Sequence, residues 1–288
     1  MNKHFMSNEY KVLCGEADRY SKSDQQGKET SNGWIVVDSQ YDRGSNFKGV
    51  LYYKNGQYAL AFAGTDIKSI KDIGADIKMF ISGDSKQITD AIKFTNNMRK
   101  KYGLDGSNTV SIGHSEGGTE ATAVGVTNGI KTYTYNAYKV GEQYLEKGKN
   151  YDDLVTNYRD PHDPISKLGA NVGETYIVPS NQKGLKAKTP FGYVDAHRID
   201  NMGDCEKSVT PQEYKRKNSD FVDKISDVEI TREDIKQMSP ELFSVYEKEI
   251  DKRMEQGRIK LAKDTHTSSN SGDGHWVTIN GNHVLIND

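Results

Sequence analysis

The sequence predicts an α/β fold in which a mostly parallel sheet is flanked by helices. Two β-rich runs are joined by Asn55-Gly56, a dipeptide that favours a tight hairpin because both residues accept a positive φ. Short apolar strands then alternate with helical periodicities, a pattern that is typical of parallel βα units. An antiparallel hairpin followed by such units indicates an α/β sheet with one mixed edge.

Hydrophobic spacing justifies the individual elements. Isoleucines at positions 67, 70, 73 and 77 fall on one face of a helix, as an amphipathic segment requires. Trp34 is expected to lie in the core rather than to form a substrate platform. In chain order the predicted elements are a helix over 8–22, a strand over Trp34–Asp38, a hairpin over Gly49–Ala63, helices over Ile67–Phe80 and Ser85–Tyr102, and strands near Lys131–Asn136, Leu154–Tyr158 and Thr175–Val178.

The chain changes character near residue 201, and this change sets the expected domain boundaries. Residues 1–204 form the main α/β domain, and residues 205–264 form a helical extension. Thr210-Pro-Gln-Glu213 is a capping box that predicts the first helix of the extension. Residues 265–274 form a Ser/Asn/Gly-rich linker, and residues 275–288 form a terminal β-hairpin that turns near Asn280-Gly281.

Composition excludes several classes of protein and site. The formal net charge is −2 and no basic stripe occurs, so nucleic acid is not an expected partner. Cys14 and Cys205 are too few for a disulfide framework or a zinc site. They could form one bridge, but we expect free, buried thiols. The chain lacks both an apolar run of the roughly 20 residues that span a bilayer and a Sec-type signal. We therefore expect a cytoplasmic protein or one exported by a non-Sec route, with contact at a membrane surface left open.

The most informative motif is the Gly-x-Ser-x-Gly pattern centred on Ser115, which follows a short apolar strand and precedes an Ala/Thr/Val-rich run. A strand that turns sharply into a helix holds the middle residue in strained backbone geometry, and flanking glycines leave room for the bend. The serine hydroxyl then lies beside the first N–H groups of the helix, which can stabilise an oxyanion. The motif therefore predicts a nucleophilic serine in an α/β-hydrolase-type fold.

A nucleophilic serine needs a base to accept its proton and a carboxylate to orient that base. In α/β hydrolases the acid and then the histidine follow the serine along the chain. Asp163 and Asp160 lie in the loop after an apolar strand; Asp163 is preferred and Asp160 is the alternative. His197 follows the next strand and is the candidate base. Thr65 ends an apolar strand, where its backbone N–H and hydroxyl could supply the second oxyanion donor.

Four segments, in this order and spacing, resemble the class 3 lipases and their bacterial hydrolase-like relatives over about residues 30–200. This resemblance implies an α/β-hydrolase fold and ester hydrolysis without a metal or an organic cofactor. It implies Ser115 as nucleophile, Asp163 as acid and His197 as base. It also implies an oxyanion hole built from Thr65 and the N–H of Glu116. The four segments are Ala59–Thr65, Ile67–Ile77, Gly113–Gly118 and His162–Leu168.

The sequence thus predicts a serine esterase, lipase- or phospholipase-like, that acts on an ester or lipid substrate. Two other hypotheses use the same fold, because a fold alone does not decide function. In the first, the chain is a catalytically idle structural or interaction module whose C-terminal hairpin docks to a protein partner. In the second, the same three residues serve a thioesterase or a peptidase.

Overall fold

A computed structural model describes most of the main domain and parts of the C-terminal region. The helix predicted over Ile67–Phe80 and the candidate oxyanion residue Thr65 lie outside the described residues. The described residues are 4, 6–22, 24–64, 86–163, 166, 172–181, 195–217, 230–231, 234–235, 240–258, 275–279 and 282–286.

Helices and strands alternate along the described chain as the periodicities predict. Most predicted boundaries agree with the observed ones to within four residues. The elements are α1 Ser7–Tyr20, β1 Ile35–Asp42, β2 Phe47–Lys54, β3 Gln57–Phe62, α2 Lys86–Tyr102, β4 Thr109–His114, α3 Glu116–Asn128, β5 Lys131–Tyr135, β6 Val155–Arg159, β7 Glu174–Ile177, α4 Pro211–Lys217, α5 Pro240–Glu255, β8 His275–Ile279 and β9 Asn282–Ile286.

A seven-stranded sheet, with its strands in chain order from β1 to β7, forms the centre of the molecule. β1, β2 and β3 pair antiparallel, and β3 to β7 pair parallel. Between β2 and β3, Asn55 and Gly56 have φ values of 49° and 85°, as a two-residue hairpin turn with matching twist requires. The predicted α/β sheet with a mixed edge is confirmed.

Both faces of the sheet are covered, so each central strand buries side chains in two directions. Along β3, Ala59 and Ala61 pack in the core that contains α1. Leu60 and Phe62 alternate with them and pack in the core that contains α2 and α3, as the two-residue period of a strand dictates. Trp34 is completely buried on the α1 side, which confirms the prediction that it belongs to the core. The carboxyl ends of the parallel strands are thereby held in fixed positions.

The two cysteines are free and buried, as expected. Both lie in the α1-side core, where burial raises the pKa of the Cys14 thiol well above its ordinary value. None of the helices in the described ranges is long and apolar enough to cross a membrane.

The C-terminal region begins with the predicted helix. α4 starts directly after Thr210, whose hydroxyl oxygen accepts the backbone N–H of Glu213 at 3.2 Å, as one half of the predicted capping box requires. The Glu213 carboxylate accepts from Lys217 at 2.6 Å. β8 and β9 pair antiparallel, with His275 opposite Ile286, and form a two-stranded sheet separate from the main one. Docking of this hairpin to a partner stays a prediction.

Candidate active site

Ser115 is the single residue between the end of β4 and the start of α3. Its φ of 55° and ψ of −125° lie in a region that residues with a Cβ rarely occupy. The backbone N–H of Ser115 donates to the carbonyl of Tyr135 on the neighbouring strand at 3.0 Å. The Ser115 carbonyl in turn accepts the N–H of Gly118 at 3.0 Å. Hydrogen bonds on both sides therefore hold the strained turn that the motif predicts.

The glycines of the motif are required by close packing around this turn. A Cβ on Gly113 would lie 2.0 Å from the carbonyl oxygen of Gly117. A Cβ on Gly117 would lie 2.0 Å from the carbonyl oxygen of Phe62, at the end of β3. Both distances are far below a van der Waals contact. The first turn of α3 therefore packs directly on the ends of β3 and β4, which fixes the direction of the Ser115 side chain.

The side chains of Ser115, His197 and Asp163 form one hydrogen-bonded series. Nε2 of His197 lies 2.8 Å from Oγ of Ser115, and Nδ1 lies 2.9 Å from Oδ2 of Asp163. Because a carboxylate only accepts, Nδ1 carries the proton, and Nε2 is left to accept the serine hydroxyl. The three residues are 7%, 1% and 0% exposed, respectively. The structure thus brings together the three residues that the sequence suggested, with the histidine in the tautomer that a general base needs.

The two candidate acids have different partners. The carboxylate of Asp163 contacts His197 and also accepts the backbone N–H of Ser166 at 3.3 Å. Asp160 is equally buried, but its Oδ1 accepts the backbone N–H of His162 at 2.9 Å and lies 3.5 Å from Nδ1 of that ring. Burial raises the pKa of the Asp160 carboxyl above its ordinary value. The geometry therefore favours Asp163 as the partner of the base.

Asn136, immediately after β5, is a residue of this site that sequence reasoning missed. Its amide Nδ2 donates to the carbonyl oxygens of Ala196 at 3.0 Å and of His197 at 3.1 Å. Its Oδ1 accepts the backbone N–H of Asp160 at 2.8 Å. Asn136 is fully buried and has a φ of 48°. One side chain thus connects the loop of the base to the loop of the acid.

His114 supports the base from the other side. Its Nε2 lies 2.7 Å from the carbonyl oxygen of His197, so Nε2 carries a proton and donates. Desolvation of the ring and the nearby His197 lower the pKa of His114 to about 3, which keeps the ring neutral near pH 7. For Asn136, the sequence does contain a signal: it is an asparagine directly after a strand, at the edge where parallel sheets collect functional side chains.

The expected oxyanion site lies where the chain leaves β3. A Cβ on Gly64 would lie 2.9 Å from the carbonyl oxygen of His114 and 3.4 Å from the backbone nitrogen of Glu116. The segment that leads to Thr65 therefore passes directly beside the start of α3. The Glu116 side chain is only 2% exposed, so its carboxylate is buried within the protein. The roles of Thr65 and Glu116 as donors stay predictions.

A model of one protein family matches more than half of the chain. The family model of the Tle-like phospholipase domain matches residues 22–199, a range that contains Ser115, Asp163 and His197. The chain belongs to this phospholipase-like family. The resemblance to lipase-like hydrolases that the sequence motifs suggest is thereby confirmed.

The chain is also similar to one curated protein and to one solved structure. The extracellular phospholipase A1 of Serratia liquefaciens is 29% identical over 109 residues, which cover 38% of the chain and 33% of that relative. The chain thus spans about a third of the length of this curated relative. A triacylglycerol lipase from Penicillium expansum matches with a TM-score of 0.42 and 13% identity, covering 70% of this chain and 91% of that one.

Within the ranges that the structure describes, no group of three or more His, Cys, Asp or Glu side chains is arranged to hold a metal ion.

Proposed function

We propose that the chain is a serine esterase that hydrolyses acyl esters of phospholipids. The observation that carries this proposal is the hydrogen-bonded series from Ser115 through His197 to Asp163, with distances of 2.8 and 2.9 Å. The strained turn at Ser115 and the membership in a phospholipase-like family support it further.

In the first half of the reaction, Oγ of Ser115 attacks the ester carbonyl carbon and His197 Nε2 accepts the hydroxyl proton. The carbonyl oxygen becomes an oxyanion, which the N–H of Glu116 and the donors of Thr65 stabilise. Asp163 stabilises the imidazolium that forms at His197. The imidazolium then protonates the leaving alcohol, and the acyl group remains on Ser115.

In the second half, water replaces the alcohol. The water oxygen attacks the acyl-enzyme carbonyl while His197 accepts a proton from the water, and the same donors stabilise the second oxyanion. Collapse of this intermediate releases the fatty acid and returns the proton to Ser115. Because the histidine is buried and held on both ring nitrogens, it needs little reorganisation between the two halves.

The experiment that tests this proposal compares wild type with Ser115→Ala on dispersed phospholipid and on a p-nitrophenyl ester. We expect a loss of roughly 10⁴–10⁶-fold in kcat for both substrates, the scale seen when a serine nucleophile is removed. Thermal unfolding should be nearly unchanged, because Ala keeps the Cβ and the packing of the turn. Full esterase activity in this variant would refute the proposal.

A fluorophosphonate probe separates the esterase from an idle module of the same fold. An activated serine is phosphonylated, so the wild-type peptide that contains Ser115 should gain the mass of the probe, whereas an idle site should not react. Ester, thioester and peptide substrates assayed in parallel distinguish the esterase from a thioesterase or peptidase that uses the same residues.

A further inference from the structure

A cavity of about 290 Å³ lies beside the strained turn, on the α1 side of the sheet. Three of its lining residues, Gly64, His114 and Arg198, are each one position away from a residue of the proposed catalytic site. The opposite wall comes from α1, with Asp18 and Arg19. The cavity is therefore lined by the chain segments that carry Ser115 and His197.

Two guanidinium groups from different elements enter this cavity. Arg19 lies in the last turn of α1, and Arg198 directly follows the candidate base. Arg19 lies over the ring of Tyr20 at 5.2 Å, a contact that leaves its N–H groups able to donate. Among the described residues, neither guanidinium is engaged in an ion pair or a side-chain hydrogen bond. Both arginines are exposed at the cavity and can bind an anion.

The carboxylates that line the cavity cancel only part of the positive charge of Arg19 and Arg198. Asp18 is already paired with Lys48 at 2.5 Å and with Lys22 at 3.5 Å. Asp200 also lines the cavity and is exposed, so it offsets one of the two arginines. The remaining balance is about one positive charge. Such a site suits a singly charged phosphodiester better than a doubly charged phosphate monoester.

The size of the cavity restricts the ligand further. Sites for drug-sized ligands usually measure about 300–1,000 Å³, so this cavity is at the small end of that range. It can hold a phosphate and a small polar group but not two long acyl chains. Its mixed, charged lining is likewise unsuited to hydrocarbon.

We propose that this cavity binds the phosphodiester head group of a glycerophospholipid, with Arg19 and Arg198 donating hydrogen bonds to the phosphate oxygens. This inference rests on the proposed esterase function. Arginine is suited to this task because its planar N–H donors match phosphate oxygens. The glycerol backbone keeps the phosphate and the acyl esters within a few bonds of each other. A phosphate held in the cavity therefore presents an ester carbonyl to Ser115.

The test compares a glycerophospholipid with a diacylglycerol of the same acyl chains in mixed detergent micelles. In the double variant Arg19→Ala/Arg198→Ala, we expect kcat/KM for the phospholipid to fall at least about tenfold, mainly through KM, the scale of one charge-assisted hydrogen bond. Hydrolysis of the diacylglycerol should change less than about twofold, because that substrate has no phosphate. Arg216→Ala, an exposed arginine of α4 outside the cavity, is the matched control and should leave both substrates unaffected.

Replacing Arg198 could displace the neighbouring His197. The single variant Arg19→Ala is a control for this effect, because α1 is remote in sequence from His197. It should lower phospholipid hydrolysis alone, by about threefold or more. Binding gives an independent readout. Ser115→Ala protein should bind a short-chain phospholipid below its critical micelle concentration, and the same protein carrying Arg19→Ala/Arg198→Ala should bind it at least about tenfold more weakly.

Two outcomes would overturn the head-group site while leaving the esterase intact. One is an equal loss on both substrates, and the other is unchanged phospholipid hydrolysis in the double variant. Failure of the esterase itself is distinct, because wild type would then hydrolyse neither substrate and would not react with a fluorophosphonate.

Discussion

The side-chain amide of Asn136 donates to the carbonyl oxygen of His197 at 3.1 Å, although the two residues are 61 positions apart. The same side chain accepts the backbone N–H of Asp160 at 2.8 Å. Since Asp160 and Asp163 share a loop, this buried asparagine helps to fix the position of the base relative to its acid.

Replacing Asn136 should slow catalysis more than it weakens substrate binding. We choose Asn136→Gly because glycine accepts the φ of 48° at this position, so the backbone conformation is kept while the side chain and its hydrogen bonds are removed. We expect kcat to fall by about tenfold or more with KM nearly constant, because the base is displaced from Ser115. Steady-state kinetics measures both constants. Asn150→Gly, in an exposed loop, is the control, and a change confined to KM would contradict a positioning role.

The choice between the two candidate acids can be tested by isosteric amides. Asp163→Asn places a neutral amide against Nδ1 of His197 and favours the wrong tautomer, so kcat should fall by about 10³–10⁴-fold. Asp160→Asn leaves the His197–Asp163 contact of 2.9 Å intact and should lower kcat by less than about tenfold. The measurement is kcat as a function of pH for both variants and for wild type. A larger loss in the Asp160 variant would reverse the assignment.

Backbone strain at Ser115 should be measurable as stability. Because a φ of 55° with a ψ of −125° disfavours any residue with a Cβ, glycine should relieve the strain that alanine retains. We expect Ser115→Gly to be more stable than Ser115→Ala by about 1 kcal/mol, the lower part of the range for such strained residues. Denaturant unfolding of the two inactive variants tests this without the complication of activity. Equal stability would show that the surrounding hydrogen bonds impose no strain.

The proposed nucleophile, acid and base could be suggested from sequence because each belongs to a local pattern. Ser115 follows a strand between glycines, Asp163 follows the next apolar strands, and His197 comes after them in the order that α/β hydrolases use. The sheet could also be predicted from sequence, because Asn55-Gly56 indicates its antiparallel half and the alternating apolar runs indicate its parallel half.

The residues that support the base were less predictable: the position of Asn136 directly after β5 is a signal, but its contacts could not be predicted from sequence. The role of Asn136 depends on its positive φ and on two loops that meet it only in the fold. Arg19 and Arg198 likewise line one cavity because the end of α1 lies beside the loop that carries His197. Contacts between distant segments leave no periodic trace in a single sequence.

Glu120 is another residue whose setting became visible only in the fold. It lies one turn after Glu116 on α3, a helix that is buried along almost its whole length. Both of its carboxylate oxygens are buried and have no hydrogen-bond partner among the residues that the structure describes. Desolvation, with the nearby charges of Glu116 and Asp90, raises the pKa of Glu120 well above its ordinary value of 4.5, and Lys48 offsets only part of this effect. The folded protein therefore retains a proton there at pH values at which the unfolded chain has released it.

This retained proton predicts a pH-dependent stability with a definite sign. Below the unfolded pKa near 4.5 both the folded and the unfolded state carry the proton, so this group does not lower the free energy of unfolding. As pH rises toward the folded pKa, only the unfolded state ionises, so the free energy of unfolding falls by up to about 1.4 kcal/mol per pH unit. Glu120→Gln cannot ionise and escapes this loss. Its melting temperature relative to wild type should therefore increase as the pH rises above about 5.

The control for this prediction is Glu255→Gln, which neutralises an exposed glutamate at the end of α5. Other titrating groups are shared by wild type and variant, so their contributions cancel in the difference. For Glu255→Gln the difference in melting temperature should stay nearly constant over the same pH range. A constant difference for Glu120→Gln as well would mean that this carboxyl is ionised in the folded protein, and a partner for its charge would then have to be sought beside α3.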